Sequence, residues 1–130
     1  MTNQELIAKE KEAMTKAYAP YSHFQVGAAL LAKDGRVFTG CNVENATYGA
    51  TICAERTAVT KAVSEGVREF EKIAIVASSG DYAAPCGICR QVLFEFMPEG
   101  KVVLWSELEG EKEFALTELL PFGFRGEDIK

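Results

Sequence analysis

The chain has 130 residues, 48% apolar and 25% charged, which suits one compact domain (residues 1–130) with its own core. Its formal net charge is −5, with no densely basic window, so a polynucleotide partner is disfavoured: phosphates need a basic stripe to neutralise them. The longest apolar run is too short to span a bilayer, and the polar Thr2-Asn3-Gln4-Glu5 does not read as a secretory signal, leaving a cytoplasmic location as the default expectation.

Thr2 stands three residues before Glu5, a capping-box spacing that starts a helix with Ile7, Met14 and Tyr18 on its apolar stripe. Pro20 is expected to end it. Val26 to Ala32 is a continuous apolar run, as in a strand covered on both faces. Asp34-Gly35 marks a tight turn into a second strand, Arg36 to Asn42, making a hairpin. Residues near Thr51 to Glu65 read as a helix stopped by Gly66, and Ile73 to Ala77 as another buried strand. Pro85 opens a further helix to about Phe96. Val102 to Trp105 and Glu111 to Ala115 complete five strands. Thr117 is placed to cap a short helix, and Pro121 begins an irregular tail. Strands alternating with helices predict an α/β fold around a mixed sheet.

Four cysteines are present: Cys41, Cys53, Cys86 and Cys89. Cys86-Gly87-Ile88-Cys89 opens a predicted helix, where free N–H groups and aligned dipoles favour thiolates. Alone, that spacing fits both metal binding and thiol–disulfide exchange. Cys53-Ala54-Glu55 favours a metal, because Cys53 also lies near a helix start, and two such ends can converge. Three thiolates then ligate one tetrahedral Zn2+ per chain and leave the fourth position for water, the mark of a catalytic site. Glu55 is two residues from a ligand and within reach of that water. Cys41 is expected to be a buried strand residue.

Cys53-Ala54-Glu55 together with Pro85-Cys86-Gly87-Ile88-Cys89 resembles the signature of the zinc-dependent cytidine/deoxycytidylate deaminases, in the branch with three cysteines. The resemblance to the small cytidine deaminases runs from Tyr21-Ser22-His23-Phe24 to Leu119-Leu120-Pro121. It implies a three-layer α/β/α sandwich with a five-stranded mixed sheet and helices on both faces. It implies hydrolysis of cytidine and deoxycytidine, with zinc-activated hydroxide attacking C4 and Glu55 shuttling protons. Arg56 resembles an arginine that hydrogen-bonds the ligand sulfurs, with Gln91 assisting. The resemblance further assigns Asn42 and Glu44 to the ribose hydroxyls, Phe24 to packing on the nucleoside, and the Ala54 backbone to the base edge. It implies a homotetramer in which Ala46, Tyr48 and Phe124 complete a neighbour's site, Phe122 being a competing candidate for the closing aromatic.

Plainer roles exist for the same residues. The cysteines suit a redox pair or buried packing, Glu55 a first-turn helix acid, and Arg56 a surface ion pair. Asn42 and Glu44 suit a turn at a strand end, and Phe24, Tyr48 and Phe124 suit core or interface packing. The corresponding alternatives are deamination of a modified nucleoside such as blasticidin S or of free cytosine, a non-catalytic zinc-binding module, and a thiol oxidoreductase.

Overall fold

Thr2 starts the first helix as its spacing predicts: its hydroxyl accepts from the Glu5 N–H at 3.1 Å. In the computed structural model, which describes residues 1–129, this helix is α1, Asn3–Met14. It ends earlier than Pro20 would require. The Tyr18 N–H instead donates to the Asn42 carbonyl at 3.0 Å, so the backbone there is drawn into pairing with Val43. Tyr18 consequently lies outside the helix, and Leu6, Ile7, Glu10 and Ala13 form its buried stripe.

The hairpin forms as the Asp34-Gly35 turn predicts, from β1 (Val26–Ala32) and β2 (Val37–Cys41), with Gly35 at φ 95°. Helix α2 covers Ala54–Ser64 and starts later than expected, because Ile52 pairs with Val43 as an isolated bridge. Strand β3 is Phe70–Ala77, and α3 is Gly87–Phe96. Strands β4 (Lys101–Ser106) and β5 (Gly110–Ala115) follow, then α4, Leu116–Leu119. Thr117 does not cap α4. The helix already begins at Leu116, and the Glu118 carboxylate accepts from the Ala115 N–H at 2.8 Å.

The sheet order is β2-β1-β3-β4-β5; only β3 and β4 run parallel, so the sheet is mixed, as predicted. Alternation along β1 serves two cores. Ala28 and Leu30 face α2 and α3, whereas Ala29 and Leu31 pack with Leu6 and Ile7 of α1. One helix on one face and two on the other give three layers. Each fully buried Leu, Ile or Phe in these cores contributes about 1.5–3 kcal/mol. Among the described residues no helix is long and apolar enough to cross a membrane.

Two consequences of this order locate the site. β2 and β3 both run antiparallel to β1, so their carboxyl ends share one edge of the sheet. Helices α2 and α3 follow those strands, and their N-termini meet over that edge, where open α/β sheets bind ligands.

Candidate metal centre and active site

Cys53 is the residue before α2, Cys86 the residue before α3, and Cys89 lies in the first turn of α3. Their sulfurs all lie within 4.8 Å of one another. Cys53 Sγ and Cys86 Sγ are 4.0 Å apart, and Cys86 Sγ and Cys89 Sγ 3.3 Å. Three sulfurs bound tetrahedrally at a zinc–sulfur distance of about 2.3 Å stand about 3.8 Å apart, so the donor set fits that ion. All four cysteines are free thiols, and the sulfur spacings far exceed a disulfide bond of about 2.05 Å. Cys41, half-buried at the end of β2, is outside the cluster.

Electrostatics favour the thiolate at Cys53. Hydrogen bonding from Cys89, and then from Arg56, draws the Cys53 thiol down to about 5 against the effect of burial. The same contact with Cys53, together with burial, pushes Cys89 up, so the proton of this pair rests on Cys89. Arg56 Nη2 donates to Cys53 Sγ at 3.6 Å and to the Thr51 carbonyl at 3.2 Å, while its buried Nε has no partner in the chain. The expected contact of Arg56 with the cysteine sulfurs is made at Cys53.

Glu55 is buried in the first turn of α2 and lines the same cavity as Cys53 and Cys86. Burial raises its pKa above the ordinary carboxylate value, opposed by hydrogen bonds from its backbone and from Cys89. A carboxyl raised in this way suits a group that must both take and give a proton.

The cavity measures about 280 Å³, near the lower end of the roughly 300–1,000 Å³ range of small-molecule sites. Phe24, Asn42, Glu44, Ala54 and Glu55 all line it, as the sequence reading anticipated. The Asn42 amide is already engaged: Oδ1 accepts from the Val26 N–H at 2.9 Å, and Nδ2 donates to the Phe24 carbonyl at 2.8 Å. One proton and one lone pair of that amide remain for a ligand. Glu44 is held by the Tyr21 and Ser22 N–H groups, at 2.9 and 3.1 Å, and by the Ser22 hydroxyl. That hydroxyl, followed by the backbone donors, keeps the Glu44 carboxyl below its ordinary range.

Other anticipated residues lie elsewhere. Tyr48 is exposed, stacks edge-on against Tyr21 at 5.9 Å, and lines an adjoining cavity of about 290 Å³. Ala46 and Phe124 line neither cavity and are exposed. Gln91 does not join Arg56 at the sulfurs. Its Nε2 donates to the Phe124 carbonyl, and its Oε1 accepts from the Phe124 N–H at 3.3 Å. Phe122 is fully exposed at φ 58°.

Two features escaped the sequence reading of the site. Ser22 and Thr51 line both cavities, but an isolated serine or threonine carries no local signal of its own. Arg90, next to Cys89, donates to the Pro85 carbonyl and to the Leu119 carbonyl, both at 2.7 Å, fastening α3 to α4.

Comparison with known proteins matches this arrangement. Residues 1–105 match the cytidine and deoxycytidylate deaminase zinc-binding region. The cytidine deaminase of Sporosarcina psychrophila is 49% identical over 130 residues, covering 99% of this chain and 96% of that protein. That of Halalkalibacterium halodurans is 51% identical, covering 99% and 98%. The crystal structure of cytidine deaminase from Burkholderia pseudomallei superposes with a TM-score of 0.90 at 49% identity, over 95% of this chain and all of that one. With three thiols gathered at two helix N-termini and a family match across most of its length, the chain belongs to the cytidine and deoxycytidylate deaminase family.

Proposed function

We propose that this protein hydrolyses cytidine and deoxycytidine to uridine and deoxyuridine with release of ammonia, a step of pyrimidine salvage. The observation that carries this reading is the buried Glu55 carboxyl sharing one cavity with thiols that fit a single zinc ion. Cys53, Cys86 and Cys89 would hold one zinc per chain, which would supply a water acidified toward neutral pH.

The remaining chemistry belongs to the chain. Glu55 takes a proton from the attacking water as its oxygen bonds to C4, and delivers that proton to ring N3. It then carries the hydroxyl proton to the amine. The C4–N bond breaks, ammonia leaves, and the C4 carbonyl forms. Arg56 draws charge from the Cys53 sulfur, which would offset electron donation by the thiolates to a bound zinc. The Ala54 backbone reads the base edge, Phe24 packs on the nucleoside, and Asn42 and Glu44 meet the ribose.

A nucleoside fits better than a nucleotide. None of the residues lining the two cavities is basic, and the Glu44 carboxylate would repel a phosphate. Residues 1–130 work as one domain within a homotetramer in the cytoplasm. The exposed apolar side chains of Tyr48, Ile88 and Phe124 support the assembly, and the four free thiols support the compartment.

The test is cytidine turnover followed by ultraviolet absorbance, with zinc content and sedimentation measured on the same protein. Glu55→Ala should keep one zinc per chain and lose activity by at least about 10²–10⁴-fold. Turnover of blasticidin S in place of cytidine would overturn the substrate, and unimpaired Glu55→Ala would overturn the mechanism.

A further inference from the structure

Glu44 owes its position to a loop that no local sequence signal connects to it. Ala19 to Phe24 forms a tight turn in which His23 is left-handed (φ 59°), and its N–H donates to the Ala19 carbonyl at 3.0 Å. Left-handed backbone is uncommon for a residue with a Cβ, so surrounding contacts must hold it. Ser22 supplies two of them. Its hydroxyl donates to Glu44 Oε2 and accepts from the Phe24 N–H at 3.0 Å. One hydroxyl thus links Glu44 and the backbone of Phe24, two residues that both line the cavity.

The hydrogen-bond count of the carboxylate gives this link a consequence. Oε1 accepts from the Tyr21 and Ser22 N–H groups, which fill both of its lone pairs. Oε2 accepts from the Ser22 hydroxyl and retains one. Without Ser22, Oε2 would have two open acceptor positions and no side-chain contact setting its direction. With Ser22, Glu44 presents one acceptor in one orientation.

Resting on the reading of this cavity as a nucleoside site, we propose that Ser22 is a positioning residue that aims the single free acceptor of Glu44 at one ribose hydroxyl. Ser22 acts through Glu44 and not on the base, so its effect belongs in substrate affinity and depends on the presence of that hydroxyl. A merely structural serine would affect substrates with and without the hydroxyl alike.

The test uses zinc-loaded wild type, Ser22→Ala and Ser22→Thr, assayed on cytidine and on 2′,3′-dideoxycytidine, which lacks both ribose hydroxyls of interest. Ser22→Ala should raise KM for cytidine about tenfold, with kcat within about twofold of wild type, because binding and not chemistry is lost. KM for the dideoxy analogue should not move. Ser22→Thr keeps the hydroxyl at an exposed position and should restore the cytidine KM. An equal shift for both substrates, or none for either, overturns the assignment. A wild type inert toward both nucleosides removes the substrate reading and Ser22 with it, whereas active wild type with an unmoved Ser22→Ala removes Ser22 alone.

Discussion

Gly40 of β2 lies so close under α2 that a Cβ added to it would stand 2.5 Å from the Ala54 carbonyl oxygen and 2.6 Å from the Ala58 nitrogen. Real side chains do not tolerate such approaches to backbone. The missing Cβ lets the first turn of α2 rest on the sheet, which sets where Cys53 and Glu55 stand relative to α3. The first prediction follows from that contact. Gly40→Ala should push α2 outward, lower stability by about 1–3 kcal/mol and cut turnover by about 10²-fold. Urea unfolding and steady-state kinetics on cytidine check it, and unaltered activity would show that α2 is not held by this contact.

Arg56 gives a prediction about pH. Its Nη2 is the donor at Cys53 Sγ, so Arg56→Gln leaves the thiolate more electron-rich and the water less acidic. The acidic limb of the kcat/KM profile should move to higher pH, with activity at neutral pH reduced about 10–100-fold. A profile that keeps its shape and loses only height would place Arg56 in folding and not in tuning the metal.

The tail supplies the third. Gln91 grips both backbone polar groups of Phe124, whereas Phe122 projects fully into solvent. In the proposed homotetramer, Phe124 is therefore expected to be the aromatic that closes a neighbouring site. Phe124→Ala should raise KM about tenfold, as the loss of one well-packed aromatic contact would. Gln91→Ala should do the same by freeing the tail, and Phe122→Ala should leave KM unchanged. A larger effect from Phe122→Ala would reverse the choice.

A fourth concerns stability, far from the chemistry. Glu10 is fully buried on the inner face of α1, and neither carboxylate oxygen has a hydrogen-bond partner in the chain. Burial, opposed by nearby Lys11, raises its pKa from 4.5 to about 9, so the folded protein holds it protonated at neutral pH. The unfolded chain releases that proton at the ordinary value. The stabilisation is accordingly complete below about pH 4.5 and is lost progressively as pH rises through about 9. Urea midpoints measured across that window should fall for wild type and flatten for Glu10→Gln. Glu10→Leu, which removes the unpartnered group, should add about 1–3 kcal/mol at neutral pH. A wild type with a flat profile would mean that Glu10 is partnered in the assembled protein.

Much of the fold was legible because its signals are local. The Thr2–Glu5 cap, the apolar run of β1 and the Asp34-Gly35 turn each depend on residues a few positions apart, whereas α3 starts at Gly87, two residues after Pro85. The misplaced end of α1 and start of α2 have one cause. The chain near Tyr18 and near Thr51 carries helix-compatible residues, yet both segments pair with Val43, a distant partner that local periodicity does not reveal. The same division runs through the site. Cys53 with Glu55, and Cys86 with Cys89, are readable from spacing along two helix starts. The true partner of the Gln91 amide and the Ser22–Glu44 link are not, because they join residues 33 and 22 positions apart.

By itself, then, the sequence determined which side chains are available: three thiols and a carboxylate at the beginnings of two helices, on an acidic chain without a basic stripe. Tertiary structure decided the distances between them. Sheet order brings the ends of β2 and β3 to one edge, and a glycine without a Cβ lets α2 settle close to the sheet. A serine and a glutamine then hold Glu44 and Phe124 in place. Helix starts and turns are governed by neighbours along the chain, whereas separations across a site are set by close packing between elements far apart in sequence.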